Sequence, residues 1–171
     1  MIKITGMILV LVSSSIIGYL YSLKYKMRKQ VLKSLINSIN LFKIELVYSR
    51  APINEVLEHV VKTSDYMIKD IFKQTVYLLN LNEGYTAGEA WKKSIEKCNL
   101  DYLKKSDKEV LITFGHSLGN TDLYNQEKNF NLVLEKLKHQ LDNAEKEGEK
   151  NEKLYKNIGF LTGLGIVILL L

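Results

Sequence analysis

Covalent chemistry would most simply start at Ser117, which lies in the segment Gly115-His116-Ser117-Leu118-Gly119. This segment matches the G-x-S-x-G nucleophile elbow, in which the serine sits on a strained turn between a buried strand and a helix. Residues 110–114 instead follow a helix-like pattern, and no alternating strands surround them. A supporting acid and histidine are available only by elimination: Asp122 or Asp142, with His139. We expect the two glycines to allow close helix packing and a C-terminal turn, and keep a serine hydrolase as a remote alternative.

Metal and cofactor chemistry find less support in the residue spacing. The histidines at positions 59, 116 and 139 are dispersed, and Cys98 has no cysteine or histidine at ligand spacing. No G-x-x-x-x-G-K-S/T phosphate loop occurs in the sequence, so any nucleotide hydrolysis must come from another protein. We predict no catalytic residues, no metal site, no cofactor and no enzyme activity.

The elements around these residues begin with two apolar chain ends. Ile4 to Leu23 carries no formal charge, and its roughly 20 residues cover about 30 Å as a helix, the thickness of a bilayer core. A cleaved signal peptide is the alternative, but the apolar run is longer than such a segment and ends in a basic cluster. The second end, 158–171, reaches only about 21 Å unless Leu154 and Tyr155 extend it, so an interfacial or re-entrant segment is the alternative there.

Basic residues flank both apolar ends on the side of the central segment, and we expect them to orient the chain in the membrane. They are Lys24, Lys26, Arg28 and Lys29 after the first end, and Lys153 and Lys156 before the second. By the positive-inside rule, the central segment is cytosolic and both termini lie outside. The formal net charge of +5 suits anionic lipid better than nucleic acid, because most of the middle carries both signs of charge.

Small residues recur inside the apolar ends. Gly159 and Gly163 form a G-x-x-x-G arrangement, and Ser14 and Gly18 have the same spacing. Such spacing lets two membrane helices approach closely, although glycine and serine are common in membrane helices in general. We predict helix packing through Gly159 and Gly163, within one chain or between chains in a homo-oligomer.

The whole chain favours an all-α fold, because one proline and ten glycines among 171 residues leave few turns for strands. Apolar residues from Val31 to Leu46 recur every three or four positions, which is typical of an amphipathic helix. We predict a cytosolic bundle of about six helices between two membrane helices. The predicted segments are an N-terminal transmembrane helix at 1–23, a basic juxtamembrane segment at 24–29, the bundle at 30–144, a polar helical stalk or flexible linker at 145–157 and a C-terminal transmembrane segment at 158–171.

Several residues mark where the bundle helices should begin. The predicted starts are Pro52 in a first turn, Ser64 or Asp65 as an N-cap, Thr86, and Asp107 as a cap. Trp91 is expected to anchor the core rather than a ligand, because its indole buries a large apolar area.

The order of these features resembles the stage III sporulation protein AB family, membrane components of the mother-cell machinery in endospore-forming bacteria. The resemblance spans nearly the full chain, and its most specific part is the block at 151–161. It is carried by Glu45-Leu46-Val47-Tyr48 with Pro52, by Ala90-Trp91, by Phe114-Gly115-His116-Ser117-Leu118-Gly119 with Asp122 and Gln126, and by Asn151-Glu152-Lys153-Leu154-Tyr155-Lys156-Asn157-Ile158-Gly159-Phe160-Leu161.

This resemblance implies a helical cytosolic domain similar to the inner-membrane platform proteins of type II secretion and type IV pilus systems. It also implies a channel complex in the mother-cell membrane around the forespore, beside a cytosolic secretion-type ATPase encoded in the same operon. Platform proteins carry two copies of the cytosolic domain, whereas this chain has room for one. A complete platform would therefore require chains to assemble.

The functional hypothesis is a non-catalytic adaptor that docks the ATPase and couples its conformational work to the channel. The candidate contact residues are Glu45, Arg50 and Asp122. The alternative is an ATPase-independent structural scaffold, which would only anchor or order other membrane proteins of the channel complex.

Overall fold

The computed structural model describes residues 2–49, 51–81, 83–118 and 123–170, and every regular element in these ranges is an α-helix. Six helices follow one another: α1 Ile2–Tyr48, α2 Ile53–Thr63, α3 Tyr66–Asn80, α4 Ala87–Lys97, α5 Lys105–Gly115 and α6 Leu123–Leu170. The predicted all-α fold is confirmed.

The two terminal helices are much longer than the sequence analysis predicted, at 47 and 48 residues. α1 joins the predicted membrane helix, the basic segment and the first bundle helix, and α6 joins the last bundle helix, the polar stretch and the apolar end. The central bundle therefore contains segments of six helices, as predicted, but the two apolar ends continue α1 and α6 and are not separate helices. No proline or glycine interrupts 24–48. In the polar stretch of α6 the single glycine, Gly148, lowers helix stability too little to end the helix.

The chain divides into two compact units. The terminal unit comprises Met1–Lys29 and Asp142–Leu171, and the central unit comprises Gln30–Leu141. α1 and α6 each contribute residues to both. Within the central unit, α2 packs on α3, α3 on α4 and α4 on α5.

A continuous run of aromatic rings forms the centre of the central unit. Ring centroids 5.0–5.7 Å apart link one side chain from each of α1, α6, α5, α4 and α3. In that order the residues are Phe42, Phe130, Phe114, Trp91 and Phe72. The Trp91 side chain is fully buried, and its indole N–H donates to the Leu111 carbonyl at 2.8 Å, so the predicted core anchor is confirmed. Such edge-to-face pairs add to the apolar burial of each ring.

Local polar contacts set the helix starts. Asp65 is the N-cap of α3 and accepts from the Met67 N–H, while Thr86 forms a reciprocal capping box with Glu89 at the start of α4. Pro52 precedes α2 as its N-cap rather than lying in its first turn. The contacts of Asp65 and Thr86 satisfy backbone N–H groups that a helix start otherwise leaves unpaired.

Asp107 caps α5 differently from the prediction. It is the third residue of the helix, and its Oδ2 reaches back to accept from the Lys104 N–H at 2.9 Å. Its side chain is fully buried. The capping group was therefore identified correctly, but its position within the helix was not.

One helix of the described chain, α1, is long and apolar enough to cross a membrane, and only 6% of its apolar window is buried. Its N-terminal half exposes large aliphatic side chains that would otherwise face water, such as Leu9, Ile17 and Leu20. The predicted N-terminal span therefore agrees with its length and surface. No second span is identified in the described residues, so the C-terminal span at 158–171 stays a prediction.

Candidate functional site: the paired helix ends and the exposed face of α1

The segment around Ser117 lacks the setting of a nucleophile elbow. It follows α5, a helix, whereas the elbow requires a strand, and no strand occurs in the described residues. The Ser117 hydroxyl donates to the Phe114 carbonyl at 2.7 Å, which is a local turn contact. Gly119 and Asp122 lie outside the described residues. The strand-to-serine geometry that acyl chemistry needs is therefore not present at Ser117.

Gly115 instead lies at a very close crossing of α4 and α5. A Cβ added at Gly115 would lie 2.7 Å from Trp91 Cδ1, and a Cβ added at Gly88 would lie 2.4 Å from the Gly115 carbonyl oxygen. Both distances are shorter than any van der Waals contact, so each position requires glycine. Close packing at Gly115 was predicted, but Gly88 was not, because the sequence separation of the two glycines gives no sign that they meet.

Thiol and metal chemistry are not assembled either. Burial raises the pKa of the Cys98 thiol, which keeps it protonated and unreactive near neutral pH. No cluster of three or more metal-ligating side chains occurs in the described part of the chain.

The predicted contact residue Glu45 lies on α1 in the central unit and pairs with His59 Nδ1 on α2. The Glu45 side chain is 19% exposed and that of His59 is 55% exposed. The other two predicted contact residues, Arg50 and Asp122, lie outside the described residues.

Two large side chains beside this pair remain exposed. Ile44 is 46% exposed and Tyr48 is 68% exposed, and they lie one helical turn apart on the same side of α1. We name Ile44, Glu45, Tyr48 and His59 the α1 face. It combines an aliphatic side chain, an aromatic ring and a hydrogen-bonded polar pair, a composition that suits a protein contact.

In the terminal unit, α1 and α6 run antiparallel and touch backbone to backbone. A Cβ added at Gly159 would lie 2.8 Å from both the Gly18 Cα and the Ser14 carbonyl oxygen, and one added at Gly163 would lie 3.1 Å from the Ser14 Cβ. The Ser14 hydroxyl donates to the Gly159 carbonyl. The two predicted packing glycines therefore both face Ser14 of α1, and Gly159 also faces Gly18, within one chain. We call these paired ends the helix pair.

Polar and aromatic side-chain contacts join α1 and α6 in the part of the helix pair that lies beyond the glycines. The Arg28 guanidinium donates to Glu147 Oε2 at 2.9 Å, and only 5% of the Arg28 side chain is exposed. Tyr155 stacks between Tyr21 and Tyr25 with ring centroids 5.9 and 5.8 Å apart. Arg28, which we expected to orient the chain through lipid contact, is thus engaged within the protein.

The other lysines that were predicted to orient the chain are more exposed to solvent than Arg28. Lys24, Lys26, Lys153 and Lys156 are exposed, and Lys29 is half-buried. The Lys24 ammonium lies 5.1 Å from the centroid of the Tyr21 ring, and that of Lys156 lies 5.8 Å from the centroid of the Tyr19 ring. Tyrosine rings are enriched at the headgroup level of a membrane, and a cation within about 6 Å of a ring centroid is attracted to the ring.

Comparison with known proteins gives matches over the whole chain. The family model described as "Stage III sporulation protein AB" matches residues 3–171. The stage III sporulation protein AB of Bacillus subtilis (strain 168) is 30% identical over 173 residues, covering 100% of both chains. A solved structure of stage III sporulation protein AB (SpoIIIAB) has a TM-score of 0.65 and 27% identity, covering 71% of this chain and 96% of that chain.

Proposed function

Since the chain belongs to the stage III sporulation protein AB family, a family of sporulation proteins not known as enzymes, we propose that it is a non-catalytic platform of the channel complex between mother cell and forespore. The terminal helix pair anchors it in the mother-cell membrane. The central unit lies in the cytosol and docks a secretion-type ATPase. The family assignment confirms the resemblance carried by the sequence blocks, and the finer role rests on the two surfaces considered next.

The helix pair supports anchoring by both chain ends. α1 carries the apolar stretch of membrane-spanning length, and Gly159 and Gly163 hold the end of α6 against it. A helix in direct contact with a membrane helix over several turns lies at the same depth. The end of α6 also exposes apolar side chains suited to lipid: Leu161 is 62% exposed, Ile168 62% and Leu169 88%. Its short apolar length is therefore compensated by pairing with α1.

The exposed Ile44 and Tyr48 are the observation that carries the docking proposal. An aliphatic and an aromatic side chain exposed to solvent one turn apart do not stabilise the isolated chain. Such side chains are frequent anchors in protein interfaces. The adjacent Glu45 and His59 pair supplies a polar rim. We place the ATPase contact at the α1 face, with Arg50 and Asp122 as further proposed contacts.

A titration tests this proposal with the full chain in nanodiscs and the purified ATPase. Tyr48→Ser should weaken the dissociation constant about tenfold or more, the loss typical of an aromatic anchor. Tyr66→Ser is the matched control, because Tyr66 on α3 is even more exposed, at 77%, and should change binding less than about twofold.

Three outcomes separate the alternatives. Absence of binding to the membrane-presented chain contradicts docking, and co-purification with other channel proteins would then favour the ATPase-independent scaffold. Equal losses from Tyr48→Ser and Tyr66→Ser contradict the α1 face as the contact. Selective loss from Tyr48→Ser supports both the docking and its location.

A further inference from the structure

The helix pair forms an open groove between α1 and α6. Its volume is about 550 Å³, within the range of small-molecule sites. Its walls are almost entirely apolar. α1 contributes Leu9, Val10, Ser13, Ser14, Ile17, Gly18 and Tyr21, and α6 contributes Tyr155, Ile158, Gly159, Thr162 and Ile166.

The groove has the length of one lipid leaflet. From Leu9 to Tyr21 it follows α1 over a rise of about 18 Å. Half of a bilayer's hydrocarbon core is about 15 Å thick. A groove that begins at the aromatic end of the helix pair therefore extends through roughly one leaflet.

The groove walls suit a flexible chain better than a third helix. Close helix docking in a membrane uses small residues, but Gly18 and Gly159 already contact each other across the pair. The Ser13 hydroxyl is likewise engaged, donating to the Leu9 carbonyl at 2.8 Å. Apart from Ser14 and Thr162, the rest of the lining is branched, leucine or tyrosine surface, including Ile17 and Ile158, which an acyl chain can follow without a fixed register.

A positive charge stands at the groove's aromatic end. Tyr21 and Tyr155 stack there, and the exposed Lys24 ammonium lies 5.1 Å from the centroid of the Tyr21 ring. Juxtamembrane lysines attract anionic headgroups. An apolar groove of leaflet length that ends at a lysine has the polarity of an anionic phospholipid, with its acyl chain at one end and its phosphate at the other.

We propose that this groove binds one anionic phospholipid, with an acyl chain along Ile17 and Ile158 and its phosphate beside Lys24. The inference rests on the membrane anchoring proposed above. It adds a defined lipid site to an anchor that would otherwise need only a general apolar surface.

Native mass spectrometry of the full chain tests the site after reconstitution in nanodiscs of phosphatidylcholine with a minority of phosphatidylglycerol. The wild type should retain one phosphatidylglycerol in preference to phosphatidylcholine. Ile17→Trp, which fills the groove, should abolish the preference, and Lys24→Gln should lower retention about fivefold, the effect of one juxtamembrane cation. The matched controls are Ile16→Trp, at a neighbouring exposed position that does not line the groove, and Lys26→Gln.

Carbonate extraction of membranes keeps the two proposals apart. A chain that is extracted from membranes contradicts the anchoring itself. A chain that resists extraction but retains both lipids equally, or loses phosphatidylglycerol as much with Ile16→Trp and Lys26→Gln as with the groove variants, contradicts the lipid site alone. Cross-linking of two chains through position 17 would also contradict it, because a second copy would then occupy the groove.

Discussion

Substitution of Gly88 by alanine tests how closely α4 and α5 cross. The loss of stability can be estimated from the atoms that the new Cβ would meet. The new Cβ would lie 2.4 Å from the Gly115 carbonyl oxygen and 3.3 Å from the Gly115 carbonyl carbon. Both atoms belong to the backbone, so the helices must separate. Overpacking of this kind costs about 1–3 kcal/mol. Gly88 is the second residue of α4, where a gain in helix propensity offsets little of that loss.

The assay is thermal unfolding of the full chain in detergent, followed by far-UV circular dichroism. For a chain of this length, each kcal/mol lowers the midpoint by roughly 2–4 °C, so Gly88→Ala should lower it by roughly 2–12 °C. Gly148→Ala is the control, since its Cβ would meet only the flexible end of the Glu152 side chain, at 3.2 Å. That variant should be neutral or gain up to about 1 kcal/mol.

Gly115→Ala strengthens the test, because both glycines face the same crossing. Its own Cβ would meet Trp91 Cδ1 at 2.7 Å, so it should also destabilise the fold. The double variant should lose less than the sum of the single losses, since the first substitution already separates the helices. An unchanged or raised midpoint for Gly88→Ala would refute the close crossing, and strict additivity would refute the shared contact.

Four further predictions concern polar contacts and the helix pair. Thr86→Ala should cost about 1 kcal/mol of unfolding free energy by removing the N-cap of α4. The Thr86 backbone N–H lowers the pKa of Glu89 from its ordinary 4.5, so the advantage of wild type over Glu89→Gln should be full above that pH and shrink as the pH falls through the lowered folded pKa. Arg28→Gln should cost about 1–3 kcal/mol in denaturant unfolding, because it leaves the Glu147 carboxylate without its guanidinium donor. Gly159→Leu should force α1 and α6 apart and slow disulfide cross-linking between them.

The last three of these have their own controls or contradicting outcomes. A constant difference between wild type and Glu89→Gln across the acid range would contradict the capping contact. Lys26→Gln, at an exposed position, should change stability by less than about 0.5 kcal/mol, and an equal loss there would contradict the Arg28 prediction. The cross-link uses Ser14→Cys with Gly163→Cys in a Cys98→Ser chain, and efficient cross-linking despite Gly159→Leu would contradict the close pairing.

Features with local causes were predictable from the sequence. The caps at Asp65 and Thr86 follow from side chains that reach their own helix start, and the burial of Trp91 follows from its apolar area. The apolar length of α1 likewise depends only on consecutive residues. Each signal is contained within a few turns of chain, so one sequence is enough to read it.

Features made by distant residues were not predictable in the same way. The Glu45 and His59 pair, the Arg28 and Glu147 pair and the crossing at Gly88 all depend on how separate helices pack. The continuity of α1 and α6 was missed for another reason. The predicted boundaries lie where polarity changes. A helix ends instead where its backbone geometry or hydrogen bonding is interrupted, and charged residues such as Lys24 and Arg28 interrupt neither.

The central claim is that the anchored central unit contacts a cytosolic ATPase through the α1 face. Photo-cross-linking in sporulating cells tests it most directly, with a photoreactive amino acid placed at Tyr48 and, as the matched exposed position, at Tyr66. We expect a cross-linked product containing the ATPase from position 48 and little from position 66. Products from position 48 that contain only other membrane proteins, in cells where the ATPase is present, would contradict it.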